Sequence, residues 1–256
     1  MSIFDGLFRS RSATYFRSHL RLQQWPAAVY AIGDVHGCLD AFLQMEQLIS
    51  VDAVPFAGHK LIVLLGDYVD RGPRSADVLS RLIAPPPPGF TRVALAGNHE
   101  EMMLNAHAGN DVRAWLDLGG NETLKSYGID DEAFAVAPRR MQKQLLDAHI
   151  PAEHLSFLHN LPLTLRIDQT VLVHAGIRRN IPLDQQSSGD LLWIRHEFLE
   201  TEAIDGLTVI HGHSPSEKVE ITPGRIGVDT GAFATGRLSA VRLVPGLEPV
   251  ILTTSS

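Results

Sequence analysis

Apolar residues along the chain fall into short runs separated by longer stretches of helical spacing. Val29–Ile32, Leu61–Leu65, Arg92–Leu95, Val171–Val173, Thr208–Ile210 and Ile226–Val228 have strand length, and each ends in a cluster of Gly, Asp, Asn or His. Between them Leu39–Ile49 places Leu39, Phe42, Leu43, Met45 and Ile49 at helical spacing, and Ser75–Ile83 and Arg139–His149 read the same way. Pro85–Pro88 with Gly89 reads as a rigid connector between a helix and the next strand. Residues 100–160 show helices and little strand signal, which predicts a helical insertion beside the strand ends. Leu238–Val244 and Val250–Thr253, around Pro245-Gly246, predict a terminal hairpin. The alternation predicts an α/β fold, a sheet covered by helices, in which polar groups at the carboxyl ends of strands share one crevice.

Composition narrows this picture. The 256 residues suit a single domain over 25–256, with an extension over 1–24. The extension carries Arg9, Arg11, Arg17 and Arg21 against one acid, Asp5. Ile3, Phe4, Leu7 and Phe8 could share a helical face, as in a membrane-surface or targeting segment, but a frayed or packed leader is the plainer expectation. Hydrophobic content of 45% and charged content of 20% are those of a soluble globular protein. A net charge of −7 argues against a broad nucleic-acid-binding face. Cys38 is the single cysteine, so no intrachain disulfide forms. No apolar run approaches the roughly 18 residues of a membrane span, and the amino terminus lacks the apolar core of a secretory signal. A cytoplasmic location is expected.

The strand ends hold the chemistry. They read Gly33-Asp34-Val35-His36-Gly37, Gly66-Asp67-Tyr68-Val69-Asp70-Arg71-Gly72, Gly97-Asn98-His99-Glu100, His174-Ala175-Gly176 and His211-Gly212-His213. Asp oxygen and neutral His nitrogen suit divalent first-row ions such as Mn, Fe or Zn. Asp34 and His36, two apart, can reach one ion from an extended turn. A carboxylate has two oxygens and can bridge ions about 3.5–4 Å apart. A lone Asp-x-His after a strand is more often a turn with a satisfied histidine. Five such ends in succession have no ordinary structural explanation, because buried charges at this density are strongly unfavourable without cations.

GDVHG at 33–37, GDYVDRG at 66–72 and GNHE at 97–100, followed by HAG at 174–176 and GH at 212–213, resemble the phosphoprotein phosphatase family of metallophosphoesterases, in its bacterial and phage-type branch. The resemblance runs from about residue 28 to about 244. It implies a four-layer α/β/β/α sandwich and two divalent metal ions, with manganese expected and iron or zinc open. By the same resemblance Asp34, His36 and Asp67 hold one ion, Asp67 bridges, and Asn98, His174 and His213 complete the other. His211 competes for the last place. The family ligand follows a Gly, as His213 follows Gly212, which selects His213. A water activated by both ions is the implied nucleophile. His99 matches the general acid, and Asp70 would orient it and raise its pKa. Arg71 matches the arginine that grips phosphate with two parallel hydrogen bonds, with Asn98 beside it. Arg195, after Trp193 and Ile194, is the expected second arginine, and Arg178 and Arg179 are its rivals. Asp229-Thr230-Gly231 is expected to support the site. Gly119-Gly120-Asn121 with Thr123 reads as a helix break and restart. Cys38 is expected to be buried and inert.

The reading that follows is a phosphomonoester hydrolase acting on phosphoserine or phosphothreonine in a protein or peptide. The alternative is hydrolysis of diadenosine tetraphosphate or a related nucleotide, since that branch shares GDVHGC at 33–38 and HAGI at 174–177. A non-catalytic phosphate-binding module is disfavoured because Asp70, Arg71 and His99 are all present. A nuclease is disfavoured by the acidic charge and by Pro215, which stands two residues after His213.

Overall fold

The computed structural model describes residues 10–11, 17–200 and 206–255. Its strands, in chain order, are β1 (Ser10–Arg11), β2 (Ser18–Leu22), β3 (Ala28–Ile32), β4 (Lys60–Leu64), β5 (Phe90–Ala94), β6 (Thr164–Ile167), β7 (Thr170–Val173), β8 (Thr208–His211), β9 (Glu220–Thr222), β10 (Arg225–Gly227), β11 (Ser239–Leu243) and β12 (Val250–Thr253). They form two sheets, ordered β12-β11-β3-β4-β5 and β1-β2-β6-β7-β8-β10-β9. β3, β4 and β5 run parallel, with Ile32 level with Leu64 and Leu64 level with Ala94, so their exits start at one height. β7 and β8 are also parallel, and β11–β12 is the expected antiparallel hairpin.

The apolar strands are buried on both faces, and the pleat divides their side chains between two cores. Val29, Ala31, Leu61 and Val63 meet Leu165, Ile167, Leu172 and Ile210 between the sheets. Tyr30, Ile32, Ile62 and Leu64 point the other way, into a core shared with the helices. This is the helix–sheet–sheet–helix sandwich.

On one side lie α1 (Leu39–Asp52) and α2 (Ser75–Ile83). The insertion follows β5 and holds α3 (Asn98–His107), α4 (Val112–Trp115), a π-helical turn at Leu116–Gly120, α5 (Asn121–Ser126), α6 (Asp131–Val136), α7 (Arg139–His149) and α8 (Ala152–Asn160). Shorter helices are α9 (Ser188–Trp193), α10 (His196–Leu199) and α11 (Ala232–Thr235).

Four strands depart from the sequence reading, β1, β2, β6 and β9. β1 and β2 lie inside the segment read as an extension, where β1 pairs antiparallel with β2 and β2 pairs parallel with β6. The residues of the apolar leader face, Ile3, Phe4, Leu7 and Phe8, lie outside the described residues. β9 was not expected, because all three of its residues are exposed and it has no apolar periodicity to read. Among the described residues no helix is long and apolar enough to cross a membrane.

A buried ion cluster fastens α1, α2 and β5. Glu46 is 4% exposed and accepts from Nε of Arg81 at 2.7 Å and from the Arg92 guanidinium. Arg92 also donates to the carbonyls of Arg81 and Ala84, which closes the end of α2. Removing the charge of Glu46 strands two guanidiniums. Glu46→Gln is therefore expected to cost about 3–5 kcal/mol in urea unfolding, and a loss below about 1 kcal/mol would mean that solvent screens the pair.

Candidate metal centre and active site

Five strand exits, three from one sheet and two from the other, converge at one edge of the sandwich. Asp34 follows β3, Asp67 follows β4, Asn98 opens α3 after β5, His174 follows β7 and His213 follows β8. The histidine Nδ1 of His174 lies 2.9 Å from the carbonyl of Leu65, which ties the two sheets together at the site. Backbone strain gathers here. Among the described residues eight non-glycines have positive φ, and five of them are His36, Asp67, Asp70, Arg71 and His213. At Gly66, φ +111, a Cβ would stand 2.7 Å from the backbone of Gly97, and at Gly72 one would stand 2.0 Å from the His36 carbonyl oxygen.

Glu100 sets the loop. Its buried carboxylate accepts the backbone N–H groups of Asp67 (2.8 Å), Tyr68 (2.7 Å) and Gly97 (2.8 Å). It thus closes the amino end of α3 and shapes the turn after β4 with one side chain. Burial and the Asp67 carboxylate push its pKa up to about 7.

Two sets of donor atoms meet at Asp67, each set lying within 4.8 Å of itself. One holds His36, Asp67 and His99, the other Asp67, His174 and His213. Nε2 of His36 lies 3.5 Å from Oδ2 of Asp67, and Nε2 of His174 lies 3.4 Å from Oδ1. The carboxamide oxygen of Asn98 stands 2.9 Å from Nε2 of His174 and 3.0 Å from Nδ1 of His213.

The hydrogen bonds on the far side of the rings decide what these contacts mean. Nδ1 of His36 faces the carbonyl of Val69 at 2.8 Å, and Nδ1 of His174 faces that of Leu65. A carbonyl can only accept, so both Nδ1 atoms carry the proton and both Nε2 atoms present lone pairs inward. Those lone pairs point at a carboxylate and a carboxamide oxygen, a repulsive arrangement that a divalent cation turns into coordination. Burial also lowers the pKa of His36 and His213 to about 3 and depresses that of His174, so all three rings are neutral at pH 7. The donor set fits a pair of divalent ions.

Asp34 sits differently from the other expected ligands. Its carboxylate accepts the His213 backbone N–H at 3.1 Å and lies beside Asp229, outside the two donor sets. Burial, Asp229 and Asp67 push its pKa well up, and burial lifts Asp229 to about 6. Two buried carboxyls in contact cannot both ionise without added positive charge.

His99 is held on both ring nitrogens. Nδ1 meets Oδ2 of Asp70 at 2.8 Å, and Nε2 lies 3.0 Å from Nη2 of Arg71 and 3.9 Å from Oδ2 of Asp67. Burial opposes its charged form, but the Asp67 and Asp70 carboxylates outweigh burial and raise its pKa. Arg71 lies over the ring of Phe233 at 4.8 Å. Arg195 lies against His213, with Nε 3.1 Å from Nε2. Its rival Arg178 is bound to Asp190 at 3.0 Å.

His211 is buried on Phe198, with Nδ1 toward the Gly212 carbonyl, and joins neither donor set. Cys38, expected to be buried, is half-buried at the start of α1, where burial pushes its thiol pKa up. The side chain of Asp229 accepts the Gly231 N–H at 2.8 Å. Sequence reasoning missed three supports, Glu100, Trp115 and Thr123, and two exposed rings at the rim, Trp193 and Phe233. Glu100 stood inside GNHE, where a residue three after the helix-capping Gly97 signals a capping box.

A two-sheet sandwich with Asp, Asn and His donors at its strand ends defines a metallophosphoesterase fold. The chain belongs to the calcineurin-like phosphoesterase family, whose profile matches residues 27–241 and whose members hydrolyse phosphoric esters. It is 28% identical to serine/threonine-protein phosphatase 2 of Escherichia coli, over 84% of this chain and 92% of that protein. It is 23% identical to the asymmetrical bis(5'-nucleosyl)-tetraphosphatase PrpE of Halalkalibacterium halodurans, over 86% and 94% of the two chains. A crystal structure of a suggested diadenosine tetraphosphatase superposes with TM-score 0.61 at 22% identity, over 93% of this chain and 98% of that one, and shares the fold.

Glu100→Gln keeps the shape of the side chain but turns an N–H₂ toward backbone N–H groups. It is expected to cost about 1–3 kcal/mol for each amide left unsatisfied. Urea unfolding of the metal-free protein measures this, and an unchanged midpoint would show that the Asp67–Tyr68 turn is set by other contacts.

Proposed function

We propose that this chain is a metal-dependent serine/threonine protein phosphatase. The observation that carries the reading is the position of Asp67 between two donor sets, with the His99–Asp70 pair and two arginines alongside. Asp34, His36 and Asp67 would hold one divalent ion, and Asp67, Asn98, His174 and His213 the other. Manganese is the proposed occupant. His99 is not assigned as a ligand, because its Nδ1 is committed to Asp70 and a guanidinium lies on its Nε2. When bound, two divalent ions supply charge neutralisation at the phosphoryl oxygens and lower the pKa of an attacking water.

The chain's own side chains do the rest. Arg71 and Arg195 would clamp the phosphoryl oxygens, each through paired N–H donors, with the Asn98 amide available beside them. Once phosphate takes the N–H groups of Arg71, Nε2 of His99 is free to hold a proton and give it to the leaving alkoxide. Asp70 keeps the ring turned for that transfer. We place the enzyme in the cytoplasm, where its single thiol would stay reduced, and immunolocalisation outside the cytoplasm would overturn that placement.

A second reading, dinucleoside polyphosphate hydrolysis, is favoured by the rim. Trp193 is 40% exposed and stands 6.3 Å from His213, and Phe233 is 41% exposed and stands 5.4 Å from His36. Flat exposed rings on both sides of a phosphate site suit a nucleobase.

Protein reconstituted with manganese is expected to hold two equivalents by elemental analysis, and material that takes up no stoichiometric divalent metal ends the proposal. Compared by kcat/KM, a phosphoserine or phosphothreonine peptide should exceed a phosphotyrosine peptide, p-nitrophenyl phosphate and diadenosine tetraphosphate. Strong preference for the dinucleotide selects the second reading.

Two substitutions test the roles. His99→Ala should lower kcat on the phosphopeptide by about 10²–10⁴-fold with metal content preserved, and loss of metal would make His99 a ligand. Arg195→Ala should weaken inhibition by inorganic phosphate, and unchanged inhibition would move the role to Arg178 or Arg179.

A further inference from the structure

The insertion between β5 and β6 does more than flank the site. Its residues 115–123 contact Asp70 and Arg71 directly. The carboxylate of Asp70 is fully buried and receives three side-chain donors. The Trp115 indole N–H is shared between Oδ1 (3.0 Å) and Oδ2 (3.1 Å), the Thr123 hydroxyl donates to Oδ1 (2.7 Å), and the His99 ring meets Oδ2. The same Thr123 oxygen accepts the Asp70 backbone N–H at 2.8 Å. Trp115 and Thr123 are themselves at most 1% exposed.

The link between them is a kink at Gly119 (φ +109), with no room for a side chain there or at Gly120. Its Gly119 carbonyl accepts the Arg71 N–H at 3.1 Å. A Cβ on Gly119 would stand 2.8 Å from Arg71, and one on Gly120 2.5 Å from the Trp115 indole. Here the turn brings an indole N–H and a hydroxyl to one carboxylate while its own carbonyl holds the strained backbone of Arg71.

We propose that Trp115 and Thr123 are positioning residues that fix the Asp70 carboxylate, and through it the proton-donating ring of His99. This rests on the assignment of His99 as general acid. With both oxygens of Asp70 saturated by donors from a rigid turn, the carboxylate has one orientation, and His99 has one partner direction for Nδ1. A carboxylate released from Trp115 or Thr123 can rotate, and the ring rotates with it. Loss of ring alignment matters in proportion to how much the leaving group needs a proton. Alkyl phosphates need it strongly, and p-nitrophenyl phosphate, with its stable phenolate, barely at all.

The experiment compares phosphoserine peptide and p-nitrophenyl phosphate as substrates of the manganese-loaded full chain. The variants are Trp115→Phe, Thr123→Val, Thr123→Ser and His99→Ala, each checked for metal content and thermal midpoint. Trp115→Phe and Thr123→Val should lower kcat on the peptide by roughly 10-fold, a fraction of the general-acid contribution, with kcat on p-nitrophenyl phosphate within about 2-fold and KM unchanged for both. Thr123→Ser keeps the hydroxyl and should restore the wild-type ratio. If His99→Ala separates the two esters but folded Trp115→Phe and Thr123→Val lower both equally or neither, the positioning role is overturned while the general acid stands. If His99→Ala treats both esters alike, the general-acid assignment falls and the positioning role with it. Should Trp115→Phe fail to fold, Thr123→Val against Thr123→Ser decides the matter alone.

Discussion

A buried carboxylate surrounded by imidazole nitrogens is the constraint on which the rest of this molecule depends. Asp67 is 2% exposed and stands within 3.9 Å of a nitrogen on each of His36, His99 and His174. Two of those rings have their protons committed to backbone carbonyls on the far side. Their inward faces are lone pairs, and they cannot satisfy Asp67 by hydrogen bonding. Asp34, Asp229 and Glu100 add further buried acid groups nearby. Removing this many charges from water is costly unless positive charge enters with them. The sandwich therefore supplies the stability, and the cluster draws on it. The apolar alternation of β3 and β4, buried on both faces, is what can bear a loop edge of this kind.

The same economy explains where the backbone is strained. Residues in the left-handed region without being glycine persist only where their surroundings over-determine them. At His36, Asp67, Asp70, Arg71 and His213 the surroundings are specific. Glu100 binds two amides of the Asp67 turn, Gly119 binds the amide of Arg71, Thr123 binds that of Asp70, and Asp34 receives that of His213. The strained residues present their side chains to a shared centre while hydrogen bonds to their backbones hold them in place. Positions of the donor atoms are thereby set before any ion or substrate arrives, which is the form that preorganisation takes in this chain.

How legible this was in the sequence depended on what kind of signal each part leaves. β3, β4, β5, β7 and β8 were readable because continuous apolar runs of strand length ending in Gly, Asp, Asn or His have few other meanings, and the structure shifts their ends by only one or two residues. The structure brings His36, Asp67, Asn98, His174 and His213 together, with Asp34 set apart on the side of Asp229. β9 was illegible because its exposed residues follow no period, and β2 because its Ser-His-Leu-Arg-Leu was folded into a basic leader. Trp115 and Thr123 lie 45 and 53 residues from Asp70, and nothing local connects them to it. The pair Gly119-Gly120 did leave a trace. Read as a helix break and restart it was right: the helix kinks at Gly119 and resumes at Asn121, and an indole and Arg71 occupy the space the glycines' side chains would need.

Reaction and substrate separate along the same line. The cluster around Asp67 is built from strand exits of two rigid sheets, so its geometry is shared with any chain that has this sandwich and these donors, whatever ester it cleaves. Selectivity must come from groups that the sheets do not fix. The exposed rings of Trp193, on α9, and Phe233, on α11, are such groups, each carried by a helix of four to six residues at the rim. Trp193 is steadied through its indole N–H to Glu101 on α3, 3.2 Å away, and Phe233 through the Arg71 guanidinium stacked on its face. With Arg71 in the phosphate-binding role proposed for it, turning to a phosphoryl group would uncover the Phe233 ring and leave a flat face beside the leaving group. A substrate with a planar group next to its ester gains contact there that a serine side chain does not. The rim, rather than the metal cluster, is where a phosphopeptide and a dinucleotide would be told apart.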